Sequence, residues 1–257
     1  MDPARAAGGA RRRAVRVTVV ELPARWGDPA AALAEVDAIL ARGPATDLVL
    51  LPEAALTGYV SPAGDYDLTA AAEPLDGPTA RGLAALAARH QVHLVGPLIE
   101  ADGDVRHNAA VGFGPDGARV LHYRKRHPWF PERWATPGDR PHPRVRLGDL
   151  EVTIAICFDL HRLAVEADAT LAEVDLLLFP TAWVDRLDTR PTRLSFLARH
   201  YGVAVANANW GPGVVEIPGQ GGSMIVAADG ALLAVAAPGA GRADAVIPSR
   251  APPAQRA

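Results

Sequence analysis

The chain predicts an α/β domain in which a mixed β-sheet core is covered by helices, and three patterns carry that prediction. It opens as strand, helix, strand; it carries two hairpin signals mid-chain, Asp102-Gly103 and Asp116-Gly117; and it then returns to apolar strands separated by helical segments. Its 257 residues, 49% of them hydrophobic, are enough for one large core. Neither a repeat of 20 to 50 residues nor a domain linker interrupts it.

VRVTVVEL at 15–22 reads as a buried first strand. Asp28 and Pro29 then supply an N-cap and an N1 proline ahead of the periodic AALAEVDAILAR, so a helix is expected over about 29–42, stopped by Gly43 and Pro44. DLVLLP at 47–52 returns as a strand, parallel to the first through a right-handed crossover. An alanine-rich helix over 78–90 leads into a strand at 92–100, and antiparallel strands follow near 108–113 and 118–123. RHPWFPERWATPGDRPHP at 126–143 is too rich in proline for a regular element and too aromatic for an inert linker; it is expected to be a loop folded over the site. EVTIAICFD at 151–159 reads as a strand ending at Cys157, with Val152, Ile154 and Ile156 on one face and Thr153, Ala155 and Cys157 on the other, both buried. The remainder reads as a helix over about 162–173, a buried strand at 174–183, a helix over 189–201 and a strand at 202–209. A hairpin around Asp229-Gly230 and a short strand at 244–247 complete it.

A net charge of −3 and a pI near 6.2 give no electrostatic case for nucleic acid or acidic lipid, so no nucleic-acid partner and no membrane partner are expected. A single cysteine excludes an internal disulfide framework and a cysteine-based zinc cluster, and points to the reducing cytoplasm. No run reaches the roughly 18 apolar residues of a spanning helix, and MDPARAAGGARRR at 1–13 is expected to be a disordered, solvated tail. GQGGS at 219–223 links no strand to a phosphate-cradling helix, and the histidine pairs lack a third metal ligand. Small-molecule chemistry is the expectation that remains.

Three reactive side chains stand at expected strand ends: Glu53 after DLVLLP, Lys125 after RVLHYR, and Cys157. A thiol nucleophile needs a proton acceptor and a positive charge for the developing oxyanion, and a cationic neighbour with an adjacent base would raise its thiolate supply. Each residue also has an ordinary reading: a small core side chain for Cys157, a surface carboxylate for Glu53, a solvated cation for Lys125. Asp159, His161 and Arg162 directly after the cysteine indicate that its strand end opens onto polar space.

Taken together, LPEAALTGY around Glu53, YRKRH around Lys125 and ICFDL around Cys157 resemble the three signature segments of the nitrilase superfamily, the carbon-nitrogen hydrolases, in the same order. PERWATPGD at 131–139 resembles that family's loop with a second glutamate, and VDLLLFPTAW its strand after the cysteine. The resemblance implies a four-layer α-β-β-α sandwich with two mixed β-sheets, spanning 14–248 between a tail at 1–13 and another at 249–257. It implies a homodimer or higher homo-oligomer and no metal or organic cofactor. It makes Glu53 the general base, assigns the oxyanion to Lys125 and the backbone N–H of Phe158, and gives Glu132 an auxiliary role orienting Lys125 or the substrate. Tyr59, Trp129, His161 and Trp183 become substrate-binding candidates, and Phe158 a further wall residue. His161 stands where members acting on carboxylated substrates place arginine, with Arg162 next, so which of the two would meet a carboxylate is open. Cys-Phe-Asp resembles the amidase branch, and the implied partner is a small-molecule amide, cleaved to a carboxylic acid and ammonia through a thioester. N-carbamoyl hydrolysis, acyl transfer from the thioester, and a non-catalytic binding member are the alternatives. Cys157→Ala and Lys125→Ala are expected to abolish turnover in a folded protein.

Overall fold

Two six-stranded sheets stack face to face in residues 14–237 and 241–249, the part of the chain that the computed structural model describes. The tails expected at 1–13 and 249–257 lie outside the described residues, Ser249 excepted. β1 (Ala14–Val20) shows how the layers arise. Val15, Val17 and Val19 enter the core shared by both sheets, while Val20 packs on the opposite, helix-covered side, the two-residue alternation of a strand buried on both faces.

In the first sheet, α1 (Pro29–Arg42) connects β1 to its parallel neighbour β2 (Leu48–Leu50), and α2 (Pro78–His90) precedes β3 (His93–Asp102), parallel to β2. β4 (Val105–Phe113) and β5 (Arg119–Arg124) extend it antiparallel. The second sheet holds β6 (Val145–Leu147), β7 (Leu150–Ile154), β8 (Leu176–Thr181), β9 (Ala204–Asn209), β10 (Met224–Val226) and β11 (Leu232–Val235), with β7, β8 and β9 mutually parallel. The chain finally crosses back, and β12 (Arg242–Pro248) pairs antiparallel with β1 at the edge of the first sheet. α1 and α2 cover one outer face. α3 (Leu160–Glu166), α4 (Asp168–Glu173) and α5 (Arg190–Tyr201) bring Leu163, Leu171, Leu194 and Leu197 to the core of the second sheet. The four layers are those expected.

Local chemistry sets the ends. Asp28 accepts the Ala31 N–H at 2.9 Å ahead of Pro29, and the Gly43 N–H closes α1 on the Ile39 carbonyl. Gly117 turns the β4–β5 hairpin at φ 77°, a conformation that a Cβ disfavours. The structure corrects the sequence reading in three places. The helix expected over 162–173 is two helices that break at Ala167 (φ −128°), with Leu163, Ala167 and Leu171 all in the core. β6 went unread, since three residues are too few for an alternation to register. The cysteine strand ends at Ile154, not Cys157: Ala155 still donates to the Leu178 carbonyl, and then Cys157 takes φ 46° and turns the chain into a 3-10 turn, Cys157–Asp159.

Candidate active site

The site begins with a buried ammonium. Lys125 follows β5, its backbone pinned by its own N–H on the Asn108 carbonyl and by the Gly138 N–H on its carbonyl, each at 2.8 Å. Its Nζ lies 2.7 Å from Glu53 Oε1 and 2.6 Å from Glu132 Oε1, and all three side chains are fully buried. Glu53 arrives from the loop after β2. Its Oε1 also accepts Asn108 Nδ2 at 2.8 Å, and its Oε2 accepts the Ala182 backbone N–H at 2.8 Å. Glu132 comes from the proline-rich loop and accepts the Tyr59 hydroxyl at 2.6 Å, while Asn108 Nδ2 reaches its other oxygen at 3.4 Å. Two carboxylates therefore share one ammonium, with Asn108 bridging them. Burial disfavours the ammonium, but Glu53 and Glu132 together outweigh it, and Lys125 is held protonated, well above its ordinary range. Burial and the charge of Glu53 push the Glu132 carboxyl up against the opposing pull of Lys125.

Cys157 stands beside this centre, and the charges of Glu53, Lys125 and Glu132 all act on its sulfur. Its left-handed backbone costs a non-glycine residue about 1–2 kcal/mol, a strain that an enclosing structure must hold in place. The holder is Asp159, fully buried. Its Oδ2 accepts the Ile156 N–H at 2.9 Å and the Tyr123 hydroxyl at 2.8 Å, and its Oδ1 accepts the N–H groups of Arg126 and His127 at 3.1 and 2.8 Å. One carboxylate thus ties the turn of the cysteine to the segment that follows the lysine. Burial pushes the Cys157 thiol up from its ordinary range, Glu53 adds to the push, and Lys125 opposes it without reversing it. Lys125 acts on the sulfur in the direction expected of a cationic neighbour, favouring the thiolate, while burial and Glu53 act against it.

A cleft of about 160 Å³ opens above the sulfur. Tyr59, Trp129, Phe158, His161 and Trp183, all named from the sequence, line it with Cys157. Tyr59 and Trp129 stack with ring centres 6.5 Å apart, and Phe158 and His161 sit 4.6 Å apart. Arg162 does not line the cleft; it reaches outward to Glu166 at 3.9 Å.

The carbon-nitrogen hydrolase model matches residues 16–247. The chain belongs to that family. A hydrolase from Pseudomonas protegens encoded in the 5′ region of pqqF is 30% identical over 229 residues, 87% of this chain and 79% of that one. A nitrilase from Pyrococcus abyssi is 36% identical over 44% of this chain and 43% of its own. Among solved structures, a single-site variant of an amidase of the nitrilase superfamily from Nesterenkonia sp. AN1 superposes with a TM-score of 0.80 at 25% identity, covering 91% of this chain and 90% of its own.

Within this carbon-nitrogen hydrolase, several site residues escaped the sequence reading. Asn108 was seen only as the start of a strand, and the Ala182 N–H carries no side-chain signal at all. Arg190, 1% exposed at the start of α5, donates to both oxygens of Asp188, to Asn207 Oδ1 at 3.2 Å and to the Gly221 carbonyl at 2.8 Å, bracing the cleft-lining loop after β8. Asn209 Oδ1 accepts the Trp183 N–H at 3.0 Å and fixes that wall from β9. Arg193 of α5 reaches the cleft from a helix on which the sequence reading placed no site residue. Among the described residues no helix is long and apolar enough to cross a membrane.

Proposed function

We propose that this carbon-nitrogen hydrolase is a cysteine-dependent amidase that cleaves a small linear amide to a carboxylic acid and ammonia. One observation carries the reading: a fully buried lysine shared by two carboxylates beside a thiol at the floor of a small cleft. Burying such charges costs several kcal/mol per ion, a burden with no packing purpose. The size of the cleft supports a short acyl group, since a cavity of about 150 Å³ holds a benzene molecule. In a structure of a single-site variant of the Nesterenkonia amidase, that protein's active-site cysteine carries the acetamide moiety of fluoroacetamide, which supports a nucleophilic thiol as the reading of Cys157.

Cys157 Sγ attacks the amide carbon while its proton passes to Glu53, which explains why a thiol with a raised titration point needs a carboxylate base at hand. The carbonyl oxygen becomes an oxyanion that the Lys125 ammonium and the Phe158 N–H stabilise. Glu132 acts by fixing Lys125. Protonated Glu53 gives its proton to the nitrogen as the C–N bond breaks, and ammonia leaves. Water then yields a proton to Glu53 and attacks the thioester carbon; the C–S bond breaks, the proton returns to sulfur, and the acid departs.

Ammonia release from short amides, ureido acids and nitriles, with Cys157→Ala as the blank, tests the proposal. Release from amides that vanishes in the variant is the expected result. Release confined to nitriles or ureido acids, or none from any compound, rejects it.

A further inference from the structure

The mouth of the cleft is asymmetric in charge. Arg193 is the one arginine or lysine among the described residues lining it, and Asp185 the one carboxylate. These two differ in how they are engaged. Asp185 Oδ1 accepts the Leu187 N–H at 3.1 Å, and Thr189 Oγ1 lies 3.5 Å from its other oxygen, so donors of its own loop occupy it. The Arg193 guanidinium has no carboxylate within ion-pairing reach and no hydrogen-bond acceptor among the described residues. The Trp183 indole N–H, buried in the same wall, also lacks an acceptor. Buried donors left unpaired are rare, so the indole N–H is a group that an acceptor on a ligand would satisfy, and the exposed guanidinium lining the same cleft is free to meet such a ligand. His161 adds no competing charge: burial first, and then the positive charge of Arg193, push its imidazole down from 6.5 and keep it neutral at pH 7. Arg162, the other cation near the cysteine, is turned away toward Glu166.

We infer that Arg193 selects amides whose acyl chain ends in a carboxylate, the guanidinium holding that carboxylate at the mouth while the amide carbon rests on Cys157. This deepens the amidase reading and rests on it. The small cleft limits the acyl chain to a few carbons, which points to monoamides of short dicarboxylic acids. Guanidinium and carboxylate meet with two parallel N–H···O bonds, so lysine at this position would recover only part of the effect.

The test compares three amides of matched length: succinamate, uncharged 4-oxopentanamide and cationic 4-aminobutanamide, in the wild type, Arg193→Gln and Arg193→Lys. Arg193 is solvent-exposed, so its replacement leaves folding intact. The expected result is a wild-type preference of roughly 10- to 100-fold in kcat/KM for succinamate over 4-oxopentanamide. Arg193→Gln is expected to erase it, mainly through KM, with less than about 3-fold change for the neutral amide, and Arg193→Lys to restore part. Equal turnover of all three, preference for the cationic amide, or equal loss on every substrate in Arg193→Gln overturns the inference and leaves the amidase reading standing. Should no amide be hydrolysed, succinate still reads the site: it is expected to protect Cys157 from iodoacetamide in the wild type and not in Arg193→Gln, and absence of that difference overturns the inference independently.

Discussion

Replacing Lys125 by alanine does more than remove the oxyanion donor of the proposed reaction. It leaves the buried carboxylates of Glu53 and Glu132, which now share one ammonium at 2.7 and 2.6 Å, facing each other with no cation between them. Breaking a buried ion pair by removing one partner costs about 3–5 kcal/mol, and a domain's whole stability is about 5–15 kcal/mol. The expectation of a cleanly folded Lys125→Ala protein is therefore revised. With an m-value near 3 kcal/mol per molar urea, the midpoint at pH 8 is expected to fall by about 1–2 M. The pH dependence follows from Glu132, whose carboxyl already stands above its ordinary 4.5 through burial and rises further once Lys125 no longer opposes the shift. A carboxyl raised in the native state binds protons more tightly there than in the unfolded chain, so the native state loses ground as pH climbs through and beyond that range. The deficit is greatest at pH 8 and shrinks toward pH 5. Urea titrations of the wild type, Lys125→Ala and Lys125→Met/Glu132→Gln at both pH values measure it, and the double variant, relieved of one charge, is expected to regain more than half of the loss. A Lys125→Ala midpoint within 0.3 M of the wild type at pH 8 (about 1 kcal/mol on the same scale) would refute the reasoning.

Four further outcomes are expected. Glu53→Gln lowers turnover at least about 100-fold, as loss of a general base does, and slows alkylation of Cys157 by iodoacetamide; unchanged alkylation and activity remove Glu53 from the role. Thiolate absorbance near 240 nm in the ligand-free protein shows no step below the ordinary thiol value of 9.0, because burial raises the Cys157 thiol, and a step between pH 5 and 7 contradicts this. Asn108→Ala, which strips one donor from both carboxylates, costs about 1–3 kcal/mol in urea and lowers kcat with KM little changed; a pure KM effect would place Asn108 on the substrate instead. Asp159→Asn replaces an acceptor of four hydrogen bonds with a group that presents its own donors, and is expected to lose about 2–3 kcal/mol along with kcat; full stability and activity would show that the cysteine turn holds itself.

What could be read in advance divides by the kind of signal involved. Glu53, Lys125, Glu132 and Cys157 each sit in a short segment of distinctive composition, and the structure brings their side chains into one place. The strand and helix order followed from periodicity and from the Asp28-Pro29 and Asp116-Gly117 signals. The strand was drawn too far at Cys157, since one left-handed residue ends an extended run without altering its hydrophobic pattern. Asn108, Asp159 and Arg190 act through hydrogen bonds to distant segments, and local sequence holds no trace of such partners. The burial of the sulfur was not legible for a related reason: neighbouring charges are visible as letters, whereas the extent of desolvation depends on how completely the layers close.

The groups of the proposed reaction are divided between the sheets. Glu53 and Lys125 follow β2 and β5 of one, whereas Cys157 and the Ala182 N–H follow β7 and β8 of the other. Neither half of the molecule holds the whole of the proposed centre, so hydrolysis by it would report on the alignment of two slabs. A slip of an ångström between them would silence the thiol while leaving each slab's own ladder of hydrogen bonds unbroken, and heat or mild denaturant is expected to extinguish catalysis before it melts secondary structure.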